Sequence, residues 1–438
     1  MKESNVFQTI LIGAFVVLGV LGIIFFATLK KNQGNSPENI GKVEIWGTLD
    51  TAVMNEVLKS LDDLLPKNYS GTITYKEISK DTYNDELLEA LASGEGPDLF
   101  LLEQDDLLRH ANKIFEIPYD NFSERKFKDS YIEGAEIFTD RSGIYALPFM
   151  VDPLVLYWNR DILTRNNISE VPQNWDEFFT LSPKITKRDP SANILQATIA
   201  LGEYPNITNA KQIVSALILQ ADNDIVVRNE KDDPVAVLDA GGENAELQPA
   251  VSALRFYTEF SNPIKSVYTW NRSLKASRQS FVSGDLAFYI GFASELSEIR
   301  KLNPNLNFDV TLLPQIRDDS TLNTFGNITG IAILKASPNI VGSFRVASLL
   351  SSNPILEKLN EVTGLPPVSR QLLANVPGDS IQPIFYESAL RSKAWLEPDS
   401  EKVDTVFRDM VEAITSGRLS IDRAVIEAQK EIEQQLKQ

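Results

Sequence analysis

Apolar and polar positions along this chain switch between two periods, and the switching predicts an α/β protein. Residues 43–46 read as a short strand, and after the turn at 47–50 the apolar positions Val53, Met54, Val57, Leu58, Leu61 and Leu65 recur at helical spacing. Residues 71–78 return to a period of two, with Ile73, Tyr75 and Glu77 alternating against Thr72, Thr74 and Lys76. A helix over 81–92 has an acidic first turn and is stopped by Gly94. Pro97 and Asp98 lead into the apolar run 99–102 and the polar turn 103–106, after which 107–114 reads as helix. Strand, helix, strand, helix, strand is the order of a doubly wound sheet. Ligands of such sheets lie beyond the carboxyl ends of the strands, here residues 46–50, 79–83 and 103–105.

Residues 143–161 hold two apolar runs, 144–151 and 154–158, broken by Asp152 and Pro153. Neither Pro148 nor Pro153 can donate a ladder hydrogen bond, so the pattern predicts two strands rather than one uninterrupted central strand. The segment is expected to cross between two bodies, with the Asp152 carboxylate and the flat faces of Tyr157 and Trp158 at a cleft mouth. A kinked core strand with a turn Asp is the other reading. Further on, a helix capped at or near Asn174 is followed by two mostly helical stretches, 193–201 and 209–221, and an amphipathic helix over 246–260. Trp270 falls in a polar loop. Residues 278–293 read as helix, Gly stop, buried strand and Gly turn, and 308–314 and 330–334 are further strands. The chain then becomes helical, interrupted at Gly364-Leu-Pro-Pro367. It ends in helices over 400–415 and 420–436, the second with an apolar stripe suited to docking on a lobe.

At 438 residues the chain exceeds what one hydrophobic core usually supports, so two lobes are expected. A net charge of −18 without a long Lys/Arg block excludes nucleic acid as a partner. The absence of cysteine excludes disulfides, thiol nucleophiles, thiolate metal sites and a cysteine-linked lipid anchor. Residues 10–29 are apolar and uncharged for long enough to span a bilayer as a helix. The bulky Phe25 and Phe26 stand where a cleavage site wants small residues, which favours an uncleaved anchor over a signal peptide. Lys30 and Lys31 taken alone favour a cytoplasmic location for the chain beyond the span, and residues 32–40 form a polar linker.

The single histidine, His110, reads as a surface or partly packed helix residue, and one histidine builds neither a triad nor a zinc site. No phosphate-binding loop is present, because the Gly-rich stretch 92–97 lacks the Lys-Ser/Thr that would reach phosphates. The 60 acidic residues guarantee carboxylate pairs, and a pair facing a scissile bond could hydrolyse a glycan. Aromatics recur near the predicted cleft loops: Trp46, Tyr83, Tyr157, Trp175, Trp270, Phe292 and Trp395. Each taken singly also reads as core packing; together, rings beside carboxylates suit a sugar.

In order along the chain, a Trp-bearing first strand, Tyr83, Gly96-Pro-Asp-Leu-Phe100, residues 143–148 continuing to 156–161, Pro172 to Phe178, Phe281-Val-Ser-Gly-Asp-Leu-Ala287 and the tail from Ala413 to Ala424 form a series. In this series the chain resembles the extracellular solute-binding proteins of family 1, the maltodextrin-binding type that serves ABC importers. The resemblance runs from about residue 43 to the C-terminus. It implies a type II periplasmic-binding-protein-like fold of two α/β lobes that trap ligand by hinge closure, with no catalysis and no cofactor. The implied lobes are 42–150 with 314–360 and 151–313 with 361–438, after a tail (1–9), a transmembrane anchor (10–29) and a linker (30–41). Asp50, Glu103 and Asp152 would take sugar hydroxyls; Trp46, Trp270, Phe292 and Trp395 would stack, and Tyr83 would join them in the site. Phe292 stands where the family has an indole. The expected protein is thus a tethered extracytoplasmic receptor that hands a small carbohydrate to the permease subunits of an ABC importer. Its domain is placed outside despite Lys30 and Lys31. A surface-anchored glycan hydrolase and a scaffold recognising a protein partner are the alternatives.

Overall fold

The computed structural model describes residues 39–65, 69–239, 248–317 and 322–437. The expected anchor at 10–29 and nearly all of the linker lie outside the described residues. Among those that are described, no helix is long and apolar enough to cross a membrane.

The first strand, β1 (Asn39–Gly47), buries Val43, Ile45 and Trp46 and pairs in parallel with β2 (Ser70–Glu77) and β3 (Leu99–Glu103). Between them, α1 (Thr51–Leu64) is capped by the Asp50 carboxylate and buries Met54, Val57 and Leu61, the stripe its spacing predicts. The second helix, α2 (Tyr83–Ser93), ends where Gly94 takes a left-handed conformation, φ 76°. The chain then builds β4 (Ala146–Asn159), β5 (Ile194–Ile199), α3 (Ala210–Gln220), β6 (Leu286–Phe292), β7 (Phe308–Thr311) and β8 (Thr324–Ile333). Together these strands form one sheet in the order β2-β1-β3-β8-β4-β6-β5, with β7 added to β4.

The hinge is written into β4. Up to Pro153 it pairs antiparallel with β8, with Asn327 opposite Asp152 and Gly326 opposite Pro153; from Leu154 it pairs with β6 and β7. The strand is continuous over 14 residues, which corrects the expectation that two prolines would split it. Pro148 lies at a register shift against Thr329 and Gly330, and Pro153 where the partner changes, so neither is required as a central ladder donor. Two more segments cross beside it. Thr324, opening β8, donates its hydroxyl to Leu154 O at 2.9 Å, and the short strand Ser392–Lys393 runs parallel to Thr324–Phe325.

One lobe carries β1–β3 with the first half of β4, covered by α1 and α4 (Ile340–Leu350). The other carries β5, β6 and β7 with α3 and the closing helices α5 (Ser400–Thr415) and α6 (Ile421–Leu436), whose buried Ala424, Val425, Ala428 and Ile432 form the expected stripe. Residues 364–390 pack on the first lobe rather than the second: Ile132 N donates to Val368 O at 3.0 Å and Tyr131 bridges Ser369. Val368, Leu373 and Phe385 are buried. Residues 193–201, read as helical, contain β5 instead, because Ala197 and Ile199 pair with Leu286 and Phe288 and the β-branched Thr198 and Ile199 suit a buried pleat. The helix read over 107–114 is only a turn long, Leu107–His110.

Candidate ligand-binding cleft

The carboxyl end of β3 runs straight into an acidic turn. Gln104, the second residue of that turn, is buried with its side-chain oxygen accepting from Ile328 N of β8, which pins the turn to the sheet. Glu103, Asp105 and Asp106 are presented around it. Lys80 Nζ reaches both Glu103 oxygens at 3.0 and 2.9 Å. Asn84 donates its amide to both Asp106 oxygens at 3.0 Å, which turns its carbonyl oxygen towards His110 Nε2 at 2.9 Å. His110 must therefore carry its proton on Nε2, leaving Nδ1 bare and, among the described residues, without a partner. This histidine, read as a surface or partly packed helix residue, is packed and 1% exposed.

The facing wall comes from the second lobe. Lys211, in the first turn of α3, is 5% exposed; its Nζ lies 2.7 Å from Glu397 Oε2, 2.8 Å from Ser400 Oγ and 3.9 Å from Asp105 Oδ2. Ser400 Oγ also stands 2.7 Å from Asp105 Oδ2, at the positive end of the helix α5. The other Asp105 oxygen has no partner among the described residues. At the hinge, Asp152 Oδ1 accepts from Ser294 N at 3.0 Å. The turn behind it is held by Glu295, which accepts from Tyr289 Oη at 2.5 Å, Phe292 N at 2.9 Å and Asn209 Nδ2 at 2.7 Å.

Burial dominates the electrostatics. It pushes Asp152 up to about 7, against the hydrogen bonds from Ser294, and Asp106 up to about 6, with the neighbouring Asp105 charge adding to the effect. Glu397 and Glu103 are raised by burial despite Lys211 and Lys80. Burial and the nearby Lys113 and Arg109 lower His110 to about 4, so it is neutral. Burial alone would lower Lys211, but Glu397 and Asp105 outweigh it and hold the ammonium charged. A cavity of about 230 Å³ lies among these groups, walled by Lys80, Glu103, Asp105, Asp106 and His110 and closed over by Ser400 and Glu401.

Of the residues singled out in the sequence, Glu103 lines this cavity, while Asp152 lies at the crossing between the lobes, near enough to feel the Lys80 charge but not among the residues that wall it. Tyr83 also lines it, but its hydroxyl donates to Leu101 O at 2.9 Å and Trp46 O at 3.2 Å, bracing two strands. Asp50 caps α1. Trp46 is packed on the sheet with its indole N–H on Glu44 at 2.8 Å and Lys76 Nζ 3.9 Å from the ring. Trp270 is 0% exposed, its N–H on Asn206 at 3.1 Å. Phe292 is buried at the end of β6. Trp395 stacks on Phe407 at 6.0 Å, donates to Ser215 at 3.2 Å and borders a separate recess of about 340 Å³. The fold thus keeps Glu103 at the cavity, leaves Asp50 as a helix cap and disperses the aromatics. Lys80, Asp105, Lys211, Glu397 and Ser400 were not singled out in the sequence, although Lys211 is the only charged residue in α3.

The sequence profile of the bacterial extracellular solute-binding protein family matches residues 53–354. Among solved structures, a cyclo/maltodextrin-binding protein complexed with maltotetraose superposes with a TM-score of 0.72 at 17% identity, covering 93% of this chain and 99% of that one. The sugar-binding protein MalE from Xanthomonas citri does so with a TM-score of 0.72 at 19% identity, covering 90% and 97%. An ABC transporter solute-binding protein from Thermotoga lettingae, bound with α-D-tagatose, gives 0.63 at 20% identity, covering 90% and 100%. At these identities the likeness establishes the two-lobed fold.

Proposed function

Because this chain belongs to the bacterial extracellular solute-binding protein family, we propose that it captures a small carbohydrate between its lobes and delivers it to the permease subunits of an ABC importer. The family is one of solute binding rather than catalysis, which removes the glycan hydrolase from consideration. The observation that carries the reading is the cavity at the carboxyl end of β3, with walls from the first lobe and a lid, Ser400 and Glu401, from the second. A solute there touches both lobes, and only a ligand that binds the closed form better than the open form can drive closure. Polar groups around the cavity, Glu103, Asp105 and Lys80, suit hydroxyls as hydrogen-bond partners, with Asp152 beside them at the hinge. The ligands held by the solved relatives, maltotetraose and tagatose, are of the same class.

In this reading residues 10–29 anchor the chain in the membrane and the lobes lie on the extracytoplasmic side. The lobes are 39–152 with 326–391 and 154–324 with 395–437, the crossings being the three segments that pair beside Pro153. The test is a thermal-shift screen of the full chain against mono- and oligosaccharides. Ligand that binds only the native state raises the melting temperature by mass action. A saturable shift with one sugar class, and no product, supports the reading. Silence across the panel rejects it.

A further inference from the structure

The cleft is short of positive charge. Around it stand the carboxylates of Glu103, Asp105, Asp106, Asp152 and Glu397 and the ammonium groups of Lys80 and Lys211. Both ammonium groups are already engaged, Lys80 by Glu103 and Lys211 by Glu397. Arg109, the remaining cation near Asp106, acts on it only through space. Two acceptors are left over among the described residues: Oδ1 of Asp105, and Nδ1 of His110, a side chain 1% exposed that lines the same cavity. Both are acceptors, so the groups left unsatisfied call for a donor, and the local excess of carboxylate calls for that donor to be charged.

Size sets the second limit. Pockets for drug-sized ligands hold roughly 300–1,000 Å³, and this cavity holds about 230 Å³. That suits a single ring lodged in the recess.

We infer that the solute is a single-ring sugar carrying an ammonium group, whose N–H donors replace the missing cation between the Glu103–Asp105–Asp106 turn and the Ser400 lid. The inference rests on the carbohydrate reading and narrows it. Burial raises Glu103, Asp106 and Glu397, and a cation brought beside them favours their charged forms. Entry of the ammonium group then releases protons as it binds.

The experiment is isothermal titration of the full chain at neutral pH, in a detergent without a sugar headgroup. The probes are glucose with glucosamine and N-acetylglucosamine, and galactose with galactosamine and N-acetylgalactosamine. The acetylated sugars keep the ring and nitrogen but lose the charge. One amine is expected to bind at least about tenfold more tightly than both of its neutral counterparts, the scale of one charge-assisted bond over a neutral one. Its binding heat is expected to vary with the ionisation enthalpy of the buffer in the sense of proton release. The preference is expected to vanish in Asp105→Asn; Glu103→Gln, at the 26% exposed mouth, is the second variant should the first not fold. A neutral sugar that binds as tightly as its amine overturns the inference and leaves the carbohydrate reading standing. Silence from all six overturns the inference and leaves the carbohydrate reading to the oligosaccharides of the thermal-shift screen.

Discussion

Ser400 Oγ and Asp105 Oδ2 stand 2.7 Å apart, and with that hydrogen bond the first turn of a helix in one lobe meets the turn after β3 in the other. The bond is made between groups of the chain itself, so it contributes to holding the lobes together whatever lies between them. Replacing Ser400 by Ala removes the hydrogen bond to Asp105 and leaves that carboxylate the Lys211 ammonium 3.9 Å away. A hydrogen bond to a charged group contributes about 1.5–3 kcal/mol, so the closed form should lose roughly that much. Ligand affinity is expected to fall about 10- to 150-fold, with the solution scattering profile shifting towards the open form. Unchanged affinity would show that the bond does not contribute to closure.

Lys211 and Glu397 form the most deeply buried ion pair of the cleft, 5% and 1% exposed. Lys211→Met leaves Glu397 and Asp105 without their ammonium partner in a poorly hydrated site. Breaking one side of a buried pair typically costs about 3–5 kcal/mol. Urea unfolding of Lys211→Met should show that loss. The double variant Lys211→Met, Glu397→Leu should recover the part of the loss that comes from Glu397, since that carboxylate is gone, while Asp105 keeps its hydrogen bond from Ser400. If the double variant is as unstable as the single one, the loss comes from packing rather than charge.

The scaffold was legible in the sequence wherever one local rule decided the outcome. Asp50, the Val53-to-Leu65 stripe and Gly94 fix the first two helices, and Asp152–Pro153 marks the hinge because a proline is tolerated where a strand changes partners. The site was legible only in part. A carboxylate at the end of a parallel strand, such as Glu103, follows from topology. Whether a tryptophan faces a cleft or a core does not follow, since both environments reward the same ring. Trp46, Trp270 and Trp395 all went to packing, each with its indole N–H on a protein acceptor. Lys211 and Glu397 lie 186 residues apart and only the tertiary fold brings them together. The β5 segment escapes a sequence reading because six residues carry too little periodicity to separate strand from helix until a neighbour supplies the ladder.

The burial of Trp270 separates stability from affinity. Its ring is 0% exposed and its N–H donates to Asn206 at 3.1 Å, while Asn206 also holds Asn271 O and Leu274 O. Trp270→Phe is expected to lower unfolding free energy by about 1–3 kcal/mol, the cost of an unmet buried acceptor, and to leave the dissociation constant within about twofold. A large loss of affinity at unchanged stability would place the ring in the binding site instead.

Protons should couple to stability most cleanly above pH 6.5. Burial raises Asp152 to about 7 in the folded protein, against 3.8 for an ordinary aspartate, and moves Glu397 in the same direction. A carboxyl group with a raised folded pKa binds more protons in the native than in the unfolded chain. The stability it contributes is therefore fully present below its unfolded pKa and is lost as pH rises through the folded one. His110 has the opposite sign. Its pKa is lowered to about 4 from 6.5, so over that interval the unfolded chain holds the extra proton and stability rises with pH. The two effects oppose each other most strongly below pH 6.5; above it the unfolded histidine is less than half protonated and its opposing effect fades. The melting temperature of the ligand-free protein is therefore expected to fall between pH 6.5 and 8. Asp152→Asn, which stays neutral in both states, should flatten that fall. A melting temperature that holds level or rises over this range would mean that the hinge carboxylate is already charged in the closed cleft.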